Sequence, residues 1–371
     1  MSHVPIPYRK ISAIFLAMAT LVAVIVTTGC GGSGGGNNAL LPFTGWTQVG
    51  ATYVGRTRCR DCHATVDDQF AQNPKGSTAS NSTHSRMNTG DCAKCHVTGY
   101  GEASGGTIVA GGDSDPTNVP LSGLYGVTCE SCHGPGSKHV AASTNEARKA
   151  NITRIPRSSS TCYNCHSGSS SGFKLLSSPV APVNKTTLAT QNPGLRGPHH
   201  ASAAAMIEGV LGYNYPNTQP SPHSTLPNAC VDCHLQPKLN PATGKVDHGA
   251  QQLKPNTDTS RATCASCHGG GSRSELALQV GVKEKLITLG GEDPLNPGEP
   301  DANAGGGLLH DYQIAHNISL TTNTTPDDPF VIAYKGARYN FKYILSDHSF
   351  GVHNPGFTRK MLEDAITAVS P

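Results

Sequence analysis

Residues 126–139 read GVTCESCHGPGSKH, and the group at its centre, Cys129-x-x-Cys132-His133, decides how the rest of the chain is read. The same C-x-x-C-H arrangement recurs five times: Cys59, Cys62 and His63; Cys92, Cys95 and His96; Cys162, Cys165 and His166; Cys230, Cys233 and His234; and Cys264, Cys267 and His268. Twelve of the 13 cysteines fall in this pattern, and the thirteenth is Cys30. The spacing has a mechanical reason. On a helical turn, positions i and i+3 share one side and i+4 lies close by. Two sulfurs can therefore reach one flat partner while the following imidazole points at its centre.

Three other readings compete: zinc ribbons, thioredoxin-like dithiols, and disulfides of an exported protein. None of them requires a His directly after every second Cys, and all six copies have one. C-x-x-C-H is the attachment signature of c-type haem, and His is the usual proximal ligand of haem iron. We therefore expect six c-type haems, bound through these twelve cysteines. Their irons would be held from one side by His63, His96, His133, His166, His234 and His268.

Composition agrees. Only 36% of residues are hydrophobic and 5% aromatic, while Gly (42) and Pro (26) make up close to a fifth of the 371 residues, which is high for a packed domain. Haems are large apolar bodies fixed by covalent bonds, so they can replace much of an ordinary core and cross-link short segments. With 14% charged residues and a formal charge of +3, the chain is no polyanion-binding protein, and nucleic acid is excluded as a partner.

The first residues read as a leader. Arg9 and Lys10 precede an apolar run from Ile11 to Val26, followed by Thr27-Thr28-Gly29-Cys30. The run, of about 16 residues, is short for a membrane span, which needs roughly 20. Its end resembles a bacterial lipoprotein signal, with Thr27 where that family usually has Leu. The resemblance implies cleavage after residue 29 and lipidation of Cys30. Cleavage takes the formal charge from +3 to +1. Gly31-Gly32-Ser33-Gly34-Gly35-Gly36-Asn37-Asn38 then forms a flexible tether spanning roughly 15 Å. We expect an exported protein, an outer-membrane lipoprotein on the periplasmic or cell-surface face.

The first cysteines of the motifs, at 59, 92, 129, 162, 230 and 264, form a run of four, a gap, and a pair. This spacing predicts a signal peptide over 1–29, a lipidated Cys and Gly-rich tether over 30–45, a tetrahaem part over 46–180 and a dihaem part over 181–371. Between motifs the sequence is rich in Gly, Ser, Asn and Pro, as at 167–172, and reads as loop. Helices are expected at the motif turns and at Ala201–Leu211, Ser274–Leu289, Phe330–Leu345 and Pro355–Ala368, the last with Asn354 as N-cap and Pro355 in its first turn. The fold class is thus mostly irregular with short α-helices and little or no β-sheet, a multihaem cytochrome c fold organised around a stack of covalently bound haems.

A low-potential carrier closes both axial positions of its irons, usually with a second His. Of 17 His, His3 goes with the leader and six end motifs. Ten remain, enough for six distal ligands, whereas Met87, Met206 and Met361 are the only mature methionines. Here the sequence is similar to known families. YVG at 53–55, THSRM at 83–87, CAKCHVTGYG at 92–101 and GVTCESCHGPGSKH resemble the tetrahaem cytochrome that accepts electrons from hydroxylamine oxidoreductase in nitrifying bacteria, over roughly residues 53–166. GPHH at 197–200, SPH at 221–223 and YNFKYILSDHSFGVHNPGF at 339–357 resemble multihaem outer-membrane cytochromes of metal-reducing bacteria. The GVHNP element also resembles the end of pentahaem nitrite reductases. The resemblance implies His84, His139, His200 (or His199), His223, His248 and His353 as distal ligands. At His248 those cytochromes carry Gly-His-Thr, where this chain has Asp247-His248-Gly249. His310, His316 and His348 are left on the surface or behind ligands.

The function expected is that of an electron conduit in periplasmic or extracellular anaerobic respiration, with no catalytic residue. Its partners would be redox proteins such as other cytochromes, or extracellular electron acceptors, with the membrane engaged through the lipid anchor. Six bis-His ferric haems with their propionates would take the mature charge to about −5, favouring a basic partner. Two rivals stand beside this. A reductase of nitrogen or sulfur oxyanions needs one open iron, and the nitrifier resemblance implies a five-coordinate haem at the second motif, on His96. A conductive filament would be built by self-association.

Overall fold

The computed structural model describes residues 50–71, 93, 95–106, 124, 126–152, 160–163, 165–167, 183–191, 193–194, 197–198, 201–226, 230–234, 237–239, 246–248, 264, 267–268, 273–301, 306–323 and 325–371. The leader, Cys30, the tether, His84, Cys92, His199 and His200 lie outside these residues.

In the N-terminal part, α1 (Arg56–Ala71) carries the first motif and breaks at its last residue, His63, whose backbone is non-helical (φ −119°, ψ 39°). The turn that presents Cys59 and Cys62 thus ends where the motif ends. The third motif is a single turn, α2 (Cys129–His133), after which Gly134 at φ 70° redirects the chain. Next come α3 (Ser137–Ala141) and α4 (Asn145–Ala150), the latter capped by Thr144, whose hydroxyl accepts from the Ala147 amide at 3.1 Å. The fourth motif begins within α5 (Ser160–Tyr163).

The C-terminal part opens with α6 (Lys185–Ala189), α7 (Ala203–Glu208) and a 3₁₀ turn at Pro222–Thr225. The fifth motif is α8 (Cys230–His234), followed by a two-stranded antiparallel pair, β1 (Pro237–Leu239) and β2 (Val246–His248), in which Lys238 faces Asp247. Four longer helices complete it: α9 (Arg273–Gly290), α10 (Gly307–Ala315), α11 (Pro329–Asp347) and α12 (Pro355–Val369). No helix among the described residues is long and apolar enough to cross a membrane.

The architecture is helical and irregular, as expected, with that one small strand pair among the described residues. Three of the expected helices match α9, α11 and α12 to within about two residues. The fourth shortens to α7, because the chain turns at Gly209 (φ 63°) and runs back so close that a Cβ there would collide with the backbone of Gln219. Unforeseen were the short helices α3, α4 and α6, helix α10, and the continuation of α1 past its motif.

The side-chain packing that does exist is uneven, because the buried apolar residues are concentrated near the C-terminus. Along α12, Phe357, Met361, Leu362, Ala365 and Val369 form a helical stripe that packs on α11 and α9. With Leu286, Leu289, Leu309, Tyr334, Phe341 and Ile344 they make a side-chain core in which these six are fully buried. Each such side chain contributes roughly 1.5–3 kcal/mol. Gly290 gives the Phe341 ring its place; a Cβ there would overlap the ring.

Candidate functional site

The expected motif turns are present, but protein covers their thiols unevenly. Cys59, Cys95, Cys129, Cys132, Cys162, Cys165, Cys230 and Cys264 are half-buried, whereas Cys62, Cys233 and Cys267 are exposed. The pattern has a local cause. In the first, fifth and sixth motifs the exposed thiol is the second of the pair, three residues after a half-buried one, so the motif turn stands with one end against protein and the other outward. Cys165 is fixed in the fourth motif by a complete turn, its amide and that of His166 donating to the Cys162 carbonyl at 3.2 and 2.9 Å. Cys95 lies in the second motif, whose turn continues as the Val97 amide donates to the Ala93 carbonyl at 2.9 Å. None of these eleven cysteines is fully buried.

Three motif histidines face a second imidazole from elsewhere in the chain. The ring centroids of His63 and His139 are 6.2 Å apart, those of His234 and His353 6.1 Å, and those of His223 and His268 6.1 Å. Their interplanar angles are 23°, 52° and 83°. Separation, not tilt, is what the pairs share. Rings in direct contact sit closer, as His316 and Phe330 do at 3.9 Å. An imidazole nitrogen lies roughly 2 Å from a bound metal and about 1.1 Å from its own ring centroid, so two imidazoles on opposite sides of one iron have centroids roughly 6 Å apart. The donor set fits an iron between each pair.

The tautomers agree. His139 Nδ1 lies 2.8 Å from the carbonyl of Arg148, His223 Nδ1 3.0 Å from the carbonyl of Val352, and His353 Nδ1 2.6 Å from Oδ1 of Asp347. Those oxygens only accept, so in each ring Nδ1 donates and Nε2 keeps its lone pair for a metal. Burial lowers the pKa of His223, which the Val352 carbonyl only partly offsets. Burial also acts to lower that of His353, but the Asp347 carboxylate outweighs it and the pKa is raised.

Local sequence explains these placements. Arg148 closes α3 against α4 by donating from Nε to the Ala142 carbonyl at 2.9 Å, which sets the carbonyl that holds His139. His223 is fixed by Ser221, whose hydroxyl accepts its amide at 3.1 Å, and by Pro222 at the first position of the turn. His353 is set by the sharp link between α11 and α12, where His348 (φ 59°), Phe350 (φ 49°) and Gly351 (φ 96°) all take left-handed backbone. Asn354 then caps α12 and anchors it, accepting from the Phe357 amide and donating to the carbonyls of Met206 (3.0 Å) and Gln219 (2.7 Å).

The motifs also approach one another. The side chains of Cys59 and Cys129 are neighbours, which brings the first and third motifs together. Buried Glu130, inside the third motif, accepts backbone N–H groups from Val54, Gly55 and Gly136, tying the approach to α1 onto α2. The second motif is joined to the third through Gly126, whose amide donates to the His96 carbonyl at 2.8 Å, and through buried Thr98, which bonds Thr128 at 3.0 Å. The fourth motif is bonded to the C-terminal part: the Ala204 amide donates to the His166 carbonyl at 2.8 Å, and Tyr163 Oη to Glu208 at 2.6 Å. His223 lies close to both His268 and His353, which joins the fifth and sixth motifs.

Other sequence-derived candidates are placed only in part. His84, His199, His200 and Cys92 lie outside the described residues, and of His248 only the backbone, at the end of β2, is described. His310 sits on α10, His316 stacks on Phe330, and His348 is the exposed C-cap of α11. Sequence reading missed Asp347, Glu130 and the Val352 carbonyl. A buried carboxylate carries no mark in sequence that separates it from a surface one, and a carbonyl carries none at all.

Comparison with known proteins places these features in context. Residues 58–134 match the family of cytochrome c554 and c-prime, and residues 212–370 match the cytochrome c552 family. Cytochrome c-554 of Nitrosomonas europaea is 31% identical, the match covering 23% of this chain and 40% of that protein. Among solved structures, the undecahaem cytochrome from the S-layer of Carboxydothermus ferrireducens aligns over 85% of this chain and 45% of its own, at 17% identity and a TM-score of 0.43. Cytochrome c nitrite reductase from Desulfovibrio desulfuricans aligns over 85% of this chain and 69% of its own, at 16% identity and a TM-score of 0.41.

Proposed function

We propose, from the two cytochrome family matches and the curated relative, that this chain is a multihaem c-type cytochrome that binds six haems and works as an electron conduit in periplasmic or extracellular anaerobic respiration. A c-type haem, once bound, supplies a reversible one-electron couple at its iron. The chain's part is to hold, orient and space these groups. Twelve cysteines, from Cys59 to Cys267, anchor them, and the histidines that end the motifs take one face of each iron. His139, His353 and His223 take the opposite face for the motifs of His63, His234 and His268. His84, His200 and His248 are assigned to the other three motifs.

The observation that carries this reading is the constant 6.1–6.2 Å separation of three imidazole pairs at three different tilts. Spacing between sites supports conduction. Cysteines of the first and third motifs are neighbours, the second and third motifs share a backbone hydrogen bond, and His223, opposite the sixth motif, lies close to His353, opposite the fifth. The fourth motif is tied to the C-terminal part through Tyr163 and Glu208 and through His166 and Ala204. Lipidation of Cys30 would hold the protein at the outer membrane, where its acidic holo form would meet basic redox partners.

The test is the full chain produced in a host that matures c-type cytochromes, with haem counted from the reduced pyridine adduct and from intact mass. Six haems per chain and a low-spin ferric spectrum are expected. A colourless chain, or fewer than six haems in fully matured protein, overturns the reading. A high-spin ferric component with nitrite turnover by the reduced protein would replace the conduit with a reductase whose open iron is on His96.

A further inference from the structure

The three placed imidazole pairs differ in what stands behind the ring supplied from outside the motif. His139 and His223 donate Nδ1–H to neutral backbone carbonyls, at 2.8 and 3.0 Å. His353 donates instead to a carboxylate, Asp347, at 2.6 Å. The Asp347 side chain is 1% exposed, so water does little to screen its charge from the ring.

Asp347 is held in that position by the residues it serves. It is the last residue of α11, and the left-handed His348 that follows swings the chain back over it. Ser349 donates its hydroxyl to Oδ2 of Asp347 and accepts the amide of His353 at 3.1 Å. One carboxylate oxygen thus faces the imidazole and the other the hydroxyl. Asp347, Ser349 and His353 form a closed unit with one negative charge.

A desolvated carboxylate draws the Nδ1 proton toward itself and leaves more electron density on Nε2. A more basic axial ligand favours ferric over ferrous iron. We propose that Asp347 is a positioning residue that fixes the ring of His353 and makes the iron between His234 and His353 harder to reduce than those between His63 and His139 and between His223 and His268. The proposal rests on the reading that these pairs hold irons. It makes the iron of the fifth motif the last of the three to accept an electron.

The test is a spectroelectrochemical titration of the intact holoprotein and three variants. Asp347→Asn keeps the volume and removes the charge. It should move one redox step to higher potential by at least about tenfold in that iron's oxidised-to-reduced ratio, or 59 mV for a one-electron couple, with the iron still low-spin. Ser349→Ala removes the competing donor, leaves the carboxylate more basic, and should move the same step down. Opposite signs are what a purely packing role would not give. If Asp347→Asn moves no step, or moves all steps together, the tuning role is wrong; if that variant does not fold, the sign of the Ser349→Ala shift decides. His353→Met, run in parallel, separates the two levels. A step that responds to His353→Met but to neither of the others sinks only the role of Asp347, whereas no response to His353→Met sinks the ligand assignment.

Discussion

Replacing Glu130 by Gln should cost the N-terminal part about 3 kcal/mol. The carboxylate is buried within the third motif. Its Oε1 accepts the amides of Val54 at 3.0 Å and Gly136 at 2.8 Å, and its Oε2 accepts that of Gly55 at 2.8 Å. Hydrogen bonds to a charged acceptor contribute roughly 1.5–3 kcal/mol each, and a buried donor left unmatched forfeits a similar amount. The cheaper setting of Gln keeps its oxygen toward Val54 and Gly136 and turns its NH2 toward Gly55, donor against donor. One bond is then lost outright and the others lose their charge assistance. Glu130→Ala orphans all three amides and should cost about 5 kcal/mol. Residues 52–55 lead directly into α1, so the loss also loosens Cys59 from Cys129 and His63 from His139. The assay is guanidinium unfolding of the holoprotein followed by far-UV ellipticity, with the midpoint read at unchanged slope. A stability for Glu130→Ala within about 0.5 kcal/mol of the parent chain, the range of ordinary surface changes, would refute the reasoning.

Asn354→Ala removes the cap of α12 and leaves the carbonyls of Met206 and Gln219 unmatched, for about 3–4 kcal/mol; the same denaturation measurement checks it, and His353 next door should show a mixed-spin iron. Alkaline stability follows from Tyr334, Tyr339 and Tyr343, whose pKa values burial raises above the ordinary 10.0. Their contribution is full below pH 10 and is lost as pH climbs from there through the folded values. Lys335, whose pKa burial lowers from 10.5, acts in the opposite sense, its penalty easing only until pH 10.5. Ellipticity should therefore hold to about pH 10 and fall beyond it, whereas a fall beginning near neutrality would count against burial of these rings.

How much of this was legible in the sequence depended on whether the residue's partner was local. Asn354 followed by Pro355 announced the start of α12 because a cap is satisfied within one turn. The motif cysteines and histidines were legible for the same reason. Which thiols protein covers was not, since the half-buried Cys95 and Cys165 and the exposed Cys233 occupy the same place in the same motif. His139, His223 and His353 came from resemblance, since nothing in their own neighbourhood marks them as ligands. Asp347 and Glu130 stayed hidden, because what sets them apart is burial against residues brought near by folding. Composition misled as well: averaged over the chain, the apolar fraction concealed how densely α9 to α12 pack.

The link from Asp347 to Asn354 bears on the order in which the protein can mature. It supplies His353 to the imidazole of the fifth motif, and through Val352 it steadies His223 opposite the sixth. Both of those sites come well before it in the chain, whereas His63 finds His139 within the first half. On the proposed reading of an exported haem protein, the front of the molecule would close its first iron while the rear is still being delivered. The irons proposed for the fifth and sixth motifs would wait on the final stretch of polypeptide, so a chain truncated before residue 347 would emerge with its leading end finished and its trailing sites open to any small ligand in the surrounding fluid.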